Sequence, residues 1–402
     1  MNLERLQRRT SSGRYIPQVD GIRFIAIGLV VVSHALIHAT GRLTFLAGAN
    51  GVLLFFVLSG FILGLPFVAG DVDLKRYYMR RLTRLEPPYI VALVLCFLLA
   101  PLFLGGYRFA FPHFSAGIVY SHAFVWHGVN PLDQPLWSLE IEIQFYLLLP
   151  LIARARPRYL IAAGVFFVAM QLVPGYCDIF RWSILGYAQF FILGLLLARV
   201  DLSAVRSRTW DVTGIASVIA LALHSGPVFG GVVVPVFCGL ILLSAFRGEL
   251  FRSLLSIRFI TIVGGMAYSI YLTHAPLMDL LVARGRLTGM ALLAPLLVVA
   301  YLVGFVFYVL VERPCMEPDW PQRLRARLRR KEEAPTPEDP GKDTSVGACG
   351  VRLDLSRDRV HHLASPRRSG WSSMNAKSPD STGGGSRGGY GVSSGGSSSS
   401  PP

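Results

Sequence analysis

The chain has 402 residues, of which 52% are hydrophobic and only 16% are charged, and its mean hydropathy is +0.50. A soluble domain carries about 25% charged residues, so this composition excludes an ordinary soluble protein and indicates one embedded in a bilayer. The formal net charge of +15 is distributed between apolar runs. That distribution is typical of loops facing an anionic leaflet and argues against a nucleic-acid-binding face.

Ten apolar runs follow one another along the chain. A membrane-spanning helix needs about 20 mostly apolar residues, and most of the runs approach that length. The sequence therefore predicts an all-α integral membrane protein, built as a bundle of about ten transmembrane helices. The runs are residues 22–39, 49–67, 88–104, 136–151, 160–173, 184–200, 212–223, 228–246, 259–282 and 289–311.

The charged loops between the runs indicate the orientation of the bundle. Segments 5–14, 75–84 and 154–158 each carry several Lys or Arg residues, whereas the alternate loops carry few. Because loops rich in positive charge stay on the cytoplasmic side, the pattern predicts that both termini are cytoplasmic. The segment 105–135 is then predicted to be an outer loop.

The two ends of the chain differ from the apolar middle. Residues 1–15 are polar and basic with no cleavage site after the first run, which predicts a retained cytoplasmic segment. Residues 16–317 contain all the apolar runs and are predicted to form the transmembrane domain. Residues 318–402 begin with a basic stretch and become rich in Ser and Gly. This composition predicts a basic juxtamembrane segment followed by a disordered cytoplasmic tail.

Two ionisable residues lie on the first run, where such groups are costly and usually functional. Arg23 and His34 are eleven residues apart, close to three helical turns, so they share one helix face about 16 Å apart along its axis. Arg23 is predicted near the cytoplasmic boundary and His34 in the outer half of the membrane. The alternative interpretation of His34 is a buried histidine that holds two helices together.

The fourth run opens with an unusual density of polar side chains. Ser138, Glu142 and Tyr146 recur at i, i+4 and i+8, so they are predicted to line one stripe of a helix. Glu140 points elsewhere and is predicted to mark the outer boundary. A polar seam between packed helices is the alternative, although each carboxylate then needs a partner or water.

A basic cluster precedes the third run. Arg80, Arg81 and Arg84 carry guanidinium groups that match phosphate oxygens, which indicates a site for a multiply phosphorylated ligand. The positive-inside rule alone is an equally good explanation of the cluster.

The ninth run contains another histidine. His274 is predicted to lie at the same depth in the outer half of the membrane as His34. The alternative interpretation is a buried histidine whose hydrogen bonds are made to a neighbouring helix.

These residues, taken in order, resemble six motifs of the acyltransferase 3 family of integral membrane O-acyltransferases. The resemblance covers about residues 15–315 and is to the single-domain type, without a C-terminal hydrolase-like domain. The motifs are DGIR (20–23) with His34 after ten further residues, GVLLFFVLSGF (51–61), RRLTRLEPPY (80–89), WSLEIEIQFY (137–146), YSIYLTH (268–274) and ERP (312–314).

The resemblance implies transfer of an acyl group to a hydroxyl in a bacterial inner membrane. The donor is expected to be acetyl-CoA or another acyl-CoA, and the acceptor a glycan, a lipid-linked sugar or a secondary metabolite. Histidine titrates near neutral pH, so we expect His34 to be the general base, poised by Glu142. The arginines expected to hold the CoA phosphates are Arg23, Arg80, Arg81 and Arg84, and the residues expected to support the site or its substrate are Ser138, Tyr146 and His274.

A polytopic transporter or glycan exporter is the alternative, with His34, Glu142 and His274 as a proton path. Transporters often contain two related halves, but the arginine cluster and the polar fourth run each occur once. No metal is predicted, because the histidines of the segment 105–135 match the spacing of no standard site and the cysteines form no CxxC pair. No nucleic-acid partner is predicted either.

Overall fold

The structure is a computed structural model that describes residues 15–41, 47–70, 72–104, 106–202, 206–224, 227–285, 287–317, 320–323 and 326. Within these ranges the secondary structure is helical and contains no strand, so the predicted all-α class is confirmed. Contacts divide the chain into Met1–Ala334 and Pro335–Pro402. The second unit, with most of the predicted tail and the predicted N-terminal segment up to residue 14, lies outside the described residues.

Sixteen α-helical segments lie between residues 17 and 315 of the described ranges, and some are joined by short 3-10 turns. They are α1 (Pro17–Thr40), α2 (Gly48–Ala69), α3 (Leu74–Leu99), α4 (Tyr107–Ile118), α5 (His122–Trp126), α6 (Leu136–Ile152), α7 (Pro157–Met170), α8 (Tyr176–Ile179), α9 (Ala188–Leu197), α10 (Arg208–Leu223), α11 (Pro227–Arg247), α12 (Leu250–Leu255), α13 (Arg258–Gly265), α14 (Ala267–Arg284), α15 (Leu293–Phe307) and α16 (Arg313–Cys315).

Five helical segments of the described chain are long and apolar enough to cross a membrane. Shorter apolar helices, among them α7 and α9, accompany them. These helices support the prediction of an integral membrane protein. The five segments are Pro17–Thr40, Gly48–Ala69, Leu74–Leu102, Gly230–Arg247 and Gly289–Cys315.

Local sequence explains where the first and third helices begin and end. Pro17 occupies the first turn of α1, where its missing N–H costs no hydrogen bond, and Gly41 ends the helix in the left-handed conformation with φ of 66°. The carboxylate of Asp73 accepts a hydrogen bond from the backbone N–H of Arg76 at 3.3 Å and caps α3. The basic cluster therefore lies on the first turns of a long helix.

The ninth predicted run, residues 259–282, is two helices rather than one. Helix α13 ends at Gly265 and α14 begins at Ala267, with Met266 between them. Glycine weakens a helix because it leaves the backbone the most freedom. Gly264 also packs directly on the backbone of Asp20 in α1, which fixes the end of α13 at that point.

The predicted outer loop, residues 105–135, is largely helical. It contains α4 and α5, which are joined to α6 through a buried carboxylate. Glu140 is 3% exposed and accepts hydrogen bonds from the backbone N–H groups of His122 at 3.1 Å and Ala123 at 2.9 Å. Glu140 thus has a structural partner in the predicted outer segment, which its position on α6 alone does not indicate. It satisfies the free N–H groups at the start of α5, which the periodicity of α6 alone does not reveal.

Helix α1 packs against α2, α13 and α14, and α2 also packs along α9. The crossing of α2 and α9 is close because Gly60 faces Gly194, and a Cβ at either position would overlap the backbone of the other helix. Small residues at such crossings let membrane helices approach closely. Ser59, beside Gly60, is thereby held in the centre of the bundle.

Candidate active site

A partly open cavity of about 120 Å³ lies among α1, α2, α3, α6 and α14. Its apolar wall comes mainly from α2, and its polar groups come from all five helices and the segment before α5. Two guanidinium groups, one carboxylate and several hydroxyls therefore face a single partly open space. The polar residues that line it are Arg23, Ser59, Arg81, Tyr120, Ser138, Glu142, Tyr146, Tyr268 and Tyr271.

The polar stripe of α6 faces this cavity. Ser138, Glu142 and Tyr146 all line it, as their spacing along the helix predicts. Glu142 accepts a hydrogen bond of 2.5 Å from the hydroxyl of Ser59 in α2. Sequence reasoning did not select Ser59. The available signal was a single hydroxyl beside a glycine in an otherwise apolar run.

Two of the predicted phosphate-binding arginines line the cavity. The guanidinium carbon of Arg81 lies 5.8 Å from the ring centre of Tyr77 and 5.7 Å from that of Tyr146. Cation–π contacts of this kind hold a guanidinium in one orientation. Arg23 forms an ion pair of 2.5 Å with Asp20, one turn earlier in α1. Both arginines are thus oriented by their neighbours before any ligand binds.

The other two arginines of the cluster do not line the cavity. Arg80 is exposed, and Arg84 is partly buried. Two nitrogens of the Arg84 guanidinium, Nε and Nη2, are buried without a hydrogen-bond partner among the described residues. A buried guanidinium nitrogen with no acceptor is costly, which makes Arg84 a candidate for binding an anion.

His34 and His274 form a direct contact between α1 and α14. His34 Nδ1 lies 3.0 Å from His274 Nε2, and the two rings are nearly parallel, with centres 5.1 Å apart. One turn further along both helices, His38 Nε2 lies 3.4 Å from a carboxylate oxygen of Asp279. The two contacts together hold α1 against α14 at this level.

Glu142 does not contact either histidine of this pair in the described part of the chain. In this structure Glu142 pairs with Ser59 and His34 pairs with His274, so a direct Glu142–His34 hydrogen bond is not among the described contacts. The reason is the packing, because α14 lies directly on α1 whereas α6 packs on α2. The structure describes no direct contact between Glu142 and the His34–His274 pair that a proton path through all three would use.

Tyr271 connects the cavity with the histidine pair. It lines the cavity, and its ring centre lies 5.7 Å from that of His274, which is one helical turn further along α14. His34 itself does not line the cavity. The histidine pair and the polar cavity are therefore adjacent, with the side chain of Tyr271 between His274 and the cavity.

A second histidine pair lies between α4 and α5, away from the cavity. His113 Nδ1 is 2.8 Å from His122 Nε2, and the His122 ring stacks on Trp126 with centres 5.2 Å apart. Burial, together with the neighbouring His113, lowers the pKa of His122 to about 4, and burial lowers that of His113. No group of three potential metal-ligating side chains occurs among the residues that the structure describes.

Comparison with known proteins places this arrangement in a family. The family model described as an acyltransferase domain matches residues 16–311. The chain thus belongs to this acyltransferase family, the acyltransferase 3 family that its motifs resemble. No solved structure matches the chain.

Two relatives are named as O-acetyltransferases. The chain is 27% identical over 328 residues to O-acetyltransferase OatA of Staphylococcus aureus, covering 69% of this chain and 52% of that protein. It is 30% identical over 159 residues to peptidoglycan O-acetyltransferase OatA of Listeria monocytogenes, covering 35% of this chain and 24% of that protein. The chain spans about half the length of the first relative.

Proposed function

We propose that this protein is a membrane O-acetyltransferase that moves an acetyl group from an acyl-CoA to a hydroxyl of a glycan or a smaller sugar-containing acceptor. The observation that carries the proposal is the His34–His274 pair, placed one helical turn from a cavity lined by Arg23 and Arg81. Family membership supports acyl transfer, and the names of both relatives support acetyl as the group transferred.

We propose a topology of about ten membrane crossings, with both termini in the cytoplasm of a bacterial cell and the bundle in its inner membrane. The five long apolar segments would supply half of these crossings, and shorter helices, among them α7 and α9, would supply the rest. The basic loops favour this orientation. It places Arg23 at the inner side and His34 about 16 Å further out, at 1.5 Å per residue.

The donor would enter from the cytoplasmic side. Arg23 and Arg81 line the cavity, Arg84 has buried nitrogens without an acceptor among the described residues, and Arg80 is an exposed cation on the same turns of α3. Guanidinium groups bind phosphate oxygens through paired N–H donors, which suits the phosphates of CoA. The extended pantetheine arm then carries the thioester towards the outer half of the bundle.

His34 would take the proton of the acceptor hydroxyl. The hydroxyl oxygen attacks the thioester carbonyl, a new C–O bond forms, and the C–S bond breaks. The proton held by His34 passes to the departing sulfur, so the products are the acetyl ester and CoA thiol. General base catalysis by a positioned histidine contributes about 10²–10⁴-fold in rate. No nucleophile of the enzyme is required in this sequence.

The polar stripe of α6 would serve the cavity rather than the base. Glu142 holds Ser59, Tyr146 packs on Arg81, and Ser138 contacts Tyr271. These contacts fix the shape and polarity of the space through which the pantetheine arm would extend towards His34. The acceptor is proposed to be a glycan because the Listeria relative is named for peptidoglycan.

The test is a CoA-release assay on the full chain in detergent or nanodiscs, with acetyl-CoA and a series of oligosaccharide acceptors. We expect acceptor-dependent CoA release, lost in His34→Ala, whereas acetyl-CoA still binds that variant. We expect Arg81→Ala to weaken acetyl-CoA binding. Arg76→Ala, an exposed position on the same helix, is the matched control and should bind normally. Full turnover in His34→Ala would refute the proposed base.

A further inference from the structure

We propose that His274 is a positioning residue that fixes the tautomer of His34, so that the lone pair of the catalytic histidine lies on Nε2. The inference rests on the proposed function, since it assigns which nitrogen of His34 acts as the base. It follows from the hydrogen bonds of the two rings and the fact that a carbonyl oxygen only accepts.

The first step concerns His274. Its Nδ1 lies 2.8 Å from the carbonyl oxygen of Tyr271 and 3.1 Å from that of Ile270, both on the preceding turn of α14. Neither carbonyl can donate a hydrogen, so Nδ1 of His274 must carry one. The residue is completely buried, which excludes water as a competing partner for this nitrogen. In the neutral ring, Nε2 of His274 is then an acceptor.

The second step concerns His34. Its Nδ1 lies 3.0 Å from that acceptor nitrogen, so a hydrogen bond requires the proton to be on Nδ1 of His34. The remaining nitrogen, Nε2, then carries the lone pair. No described residue forms a hydrogen bond to this nitrogen, and His34 is only partly buried. The base atom is therefore the one left for the acceptor hydroxyl.

The third step is the role of the helix backbone. Enzymes commonly fix a catalytic imidazole with a carboxylate on its second nitrogen, and loss of that partner leaves the wrong tautomer. Here two backbone carbonyls of α14 fix the tautomer of His274, and His274 in turn fixes the tautomer of His34. This arrangement needs no charge next to the base, which suits a site within the membrane because a buried charge is costly.

The contact between His38 and Asp279 has a separate role. It joins α1 to α14 one turn beyond the histidine pair, at 3.4 Å, and both side chains are about a quarter exposed. It therefore helps to hold the helices together without contacting the ring of the base in the described structure. Asp279→Asn is a control for helix docking alone.

The experiment compares three substitutions at His274. The side-chain end of Gln reaches the position of Nε2 and offers an oxygen acceptor there, whereas the shorter Asn reaches only the position of Nδ1. Leu fills similar space with no acceptor. The full chain is assayed for kcat at saturating acetyl-CoA and acceptor, for acetyl-CoA binding, and for thermal unfolding.

We expect His274→Leu and His274→Asn to lower kcat by about 10²-fold or more, with acetyl-CoA binding within twofold of wild type. His274→Gln should have a kcat at least about tenfold higher than that of the Leu and Asn variants. The double variant His34→Ala/His274→Leu should be no slower than His34→Ala, because His274 acts only through His34.

A Gln variant that is as slow as the Leu variant, although both fold, would overturn the proposal. So would a double variant clearly slower than His34→Ala. Wild-type turnover in the Leu variant would also overturn it. Failure of the proposed function gives a different pattern, in which the wild type itself shows no acceptor-dependent CoA release, and full turnover in His34→Ala would show that the function holds but the base is another group.

Discussion

The hydroxyl of Ser138 lies 2.6 Å from the hydroxyl of Tyr271, and both are within 3.1 Å of the carbonyl oxygen of Pro135. The carbonyl can only accept, so the two hydroxyl hydrogens are shared within this group of three. Ser138 and Tyr271 both line the polar cavity. The start of α6 is thereby joined to the second turn of α14.

This cluster predicts a measurable coupling between Ser138 and Tyr271. A buried hydrogen bond contributes about 1 kcal/mol net, so Ser138→Ala and Tyr271→Phe should each lower the free energy of unfolding by about that amount. The double variant should lose less than the sum, because both changes break one shared bond. Unfolding of the four proteins in mixed detergent micelles measures this. Strict additivity would show that the hydroxyls do not share a hydrogen bond.

Glu142→Gln should be a milder change than His34→Ala. Glu142 lies 2.5 Å from Ser59 and has no described contact with the histidine pair, and a glutamine oxygen can still accept the serine hydrogen. We expect kcat to fall by about tenfold or less in Glu142→Gln, against about 10²–10⁴-fold in His34→Ala. Steady-state turnover at saturating donor is the measurement. Equal losses would mean that Glu142 acts on the base after all.

Two adjacent glycines at the end of α13 should respond differently to alanine. A Cβ at Gly264 would overlap the backbone carbonyl of Asp20, whereas one at Gly265 would meet nothing within 4 Å. Overpacking of this kind costs about 1–3 kcal/mol. Gly264→Ala should lower the unfolding temperature and, by displacing Asp20 from Arg23, weaken acetyl-CoA binding. Gly265→Ala is the matched control, and a similar loss there would contradict the packing argument.

The segment of α4 and α5 should loosen in acid. The pKa of His122 in the folded protein is about 4, below its ordinary value of 6.5, because the side chain is buried beside His113. The folded state therefore disfavours protonation, and stability present above pH 6.5 is lost as the pH falls through about 4. The groups around this ring are His113, Trp126 and Glu140, whose carboxylate binds the backbone N–H of His122.

Fluorescence of Trp126 reports this loosening, because its ring stacks on His122. The signal is the difference between wild type and Trp126→Phe, followed from pH 7 to pH 3.5. His122→Phe keeps an aromatic ring without a titratable group and should abolish the change. A transition in His122→Phe with the same midpoint would assign the titration to another residue.

The sequence determined much of this protein through periodicity and composition. Low charge and ten apolar runs specify a helical membrane protein. Backbone N–H and C=O groups without hydrogen bonds are too costly in lipid, and a helix forms these bonds within one segment. The spacing of Ser138, Glu142 and Tyr146 places them on one face, since a helix repeats every 3.6 residues. The ordered motifs around His34 and Arg81 were sufficient to indicate the family, which the family model confirmed.

Only the tertiary structure decided which of these residues meet. Periodicity assigns a residue to a face of its own helix but not to a partner helix, so the expected Glu142–His34 pair gave way to Ser59–Glu142 and His34–His274. Likewise Glu140 contacts α5, because the free N–H groups at the start of that short helix require a hydrogen-bond acceptor from elsewhere in the chain.

Tertiary contacts also decide which arginine of the basic cluster lines the cavity. The rings of Tyr77 and Tyr146 orient the guanidinium of Arg81 towards the cavity, whereas Arg80 does not line it. Each outcome was set by packing between helices distant in sequence, where close approach at small residues such as Gly60 and Gly264 determines which side chains come within hydrogen-bonding distance.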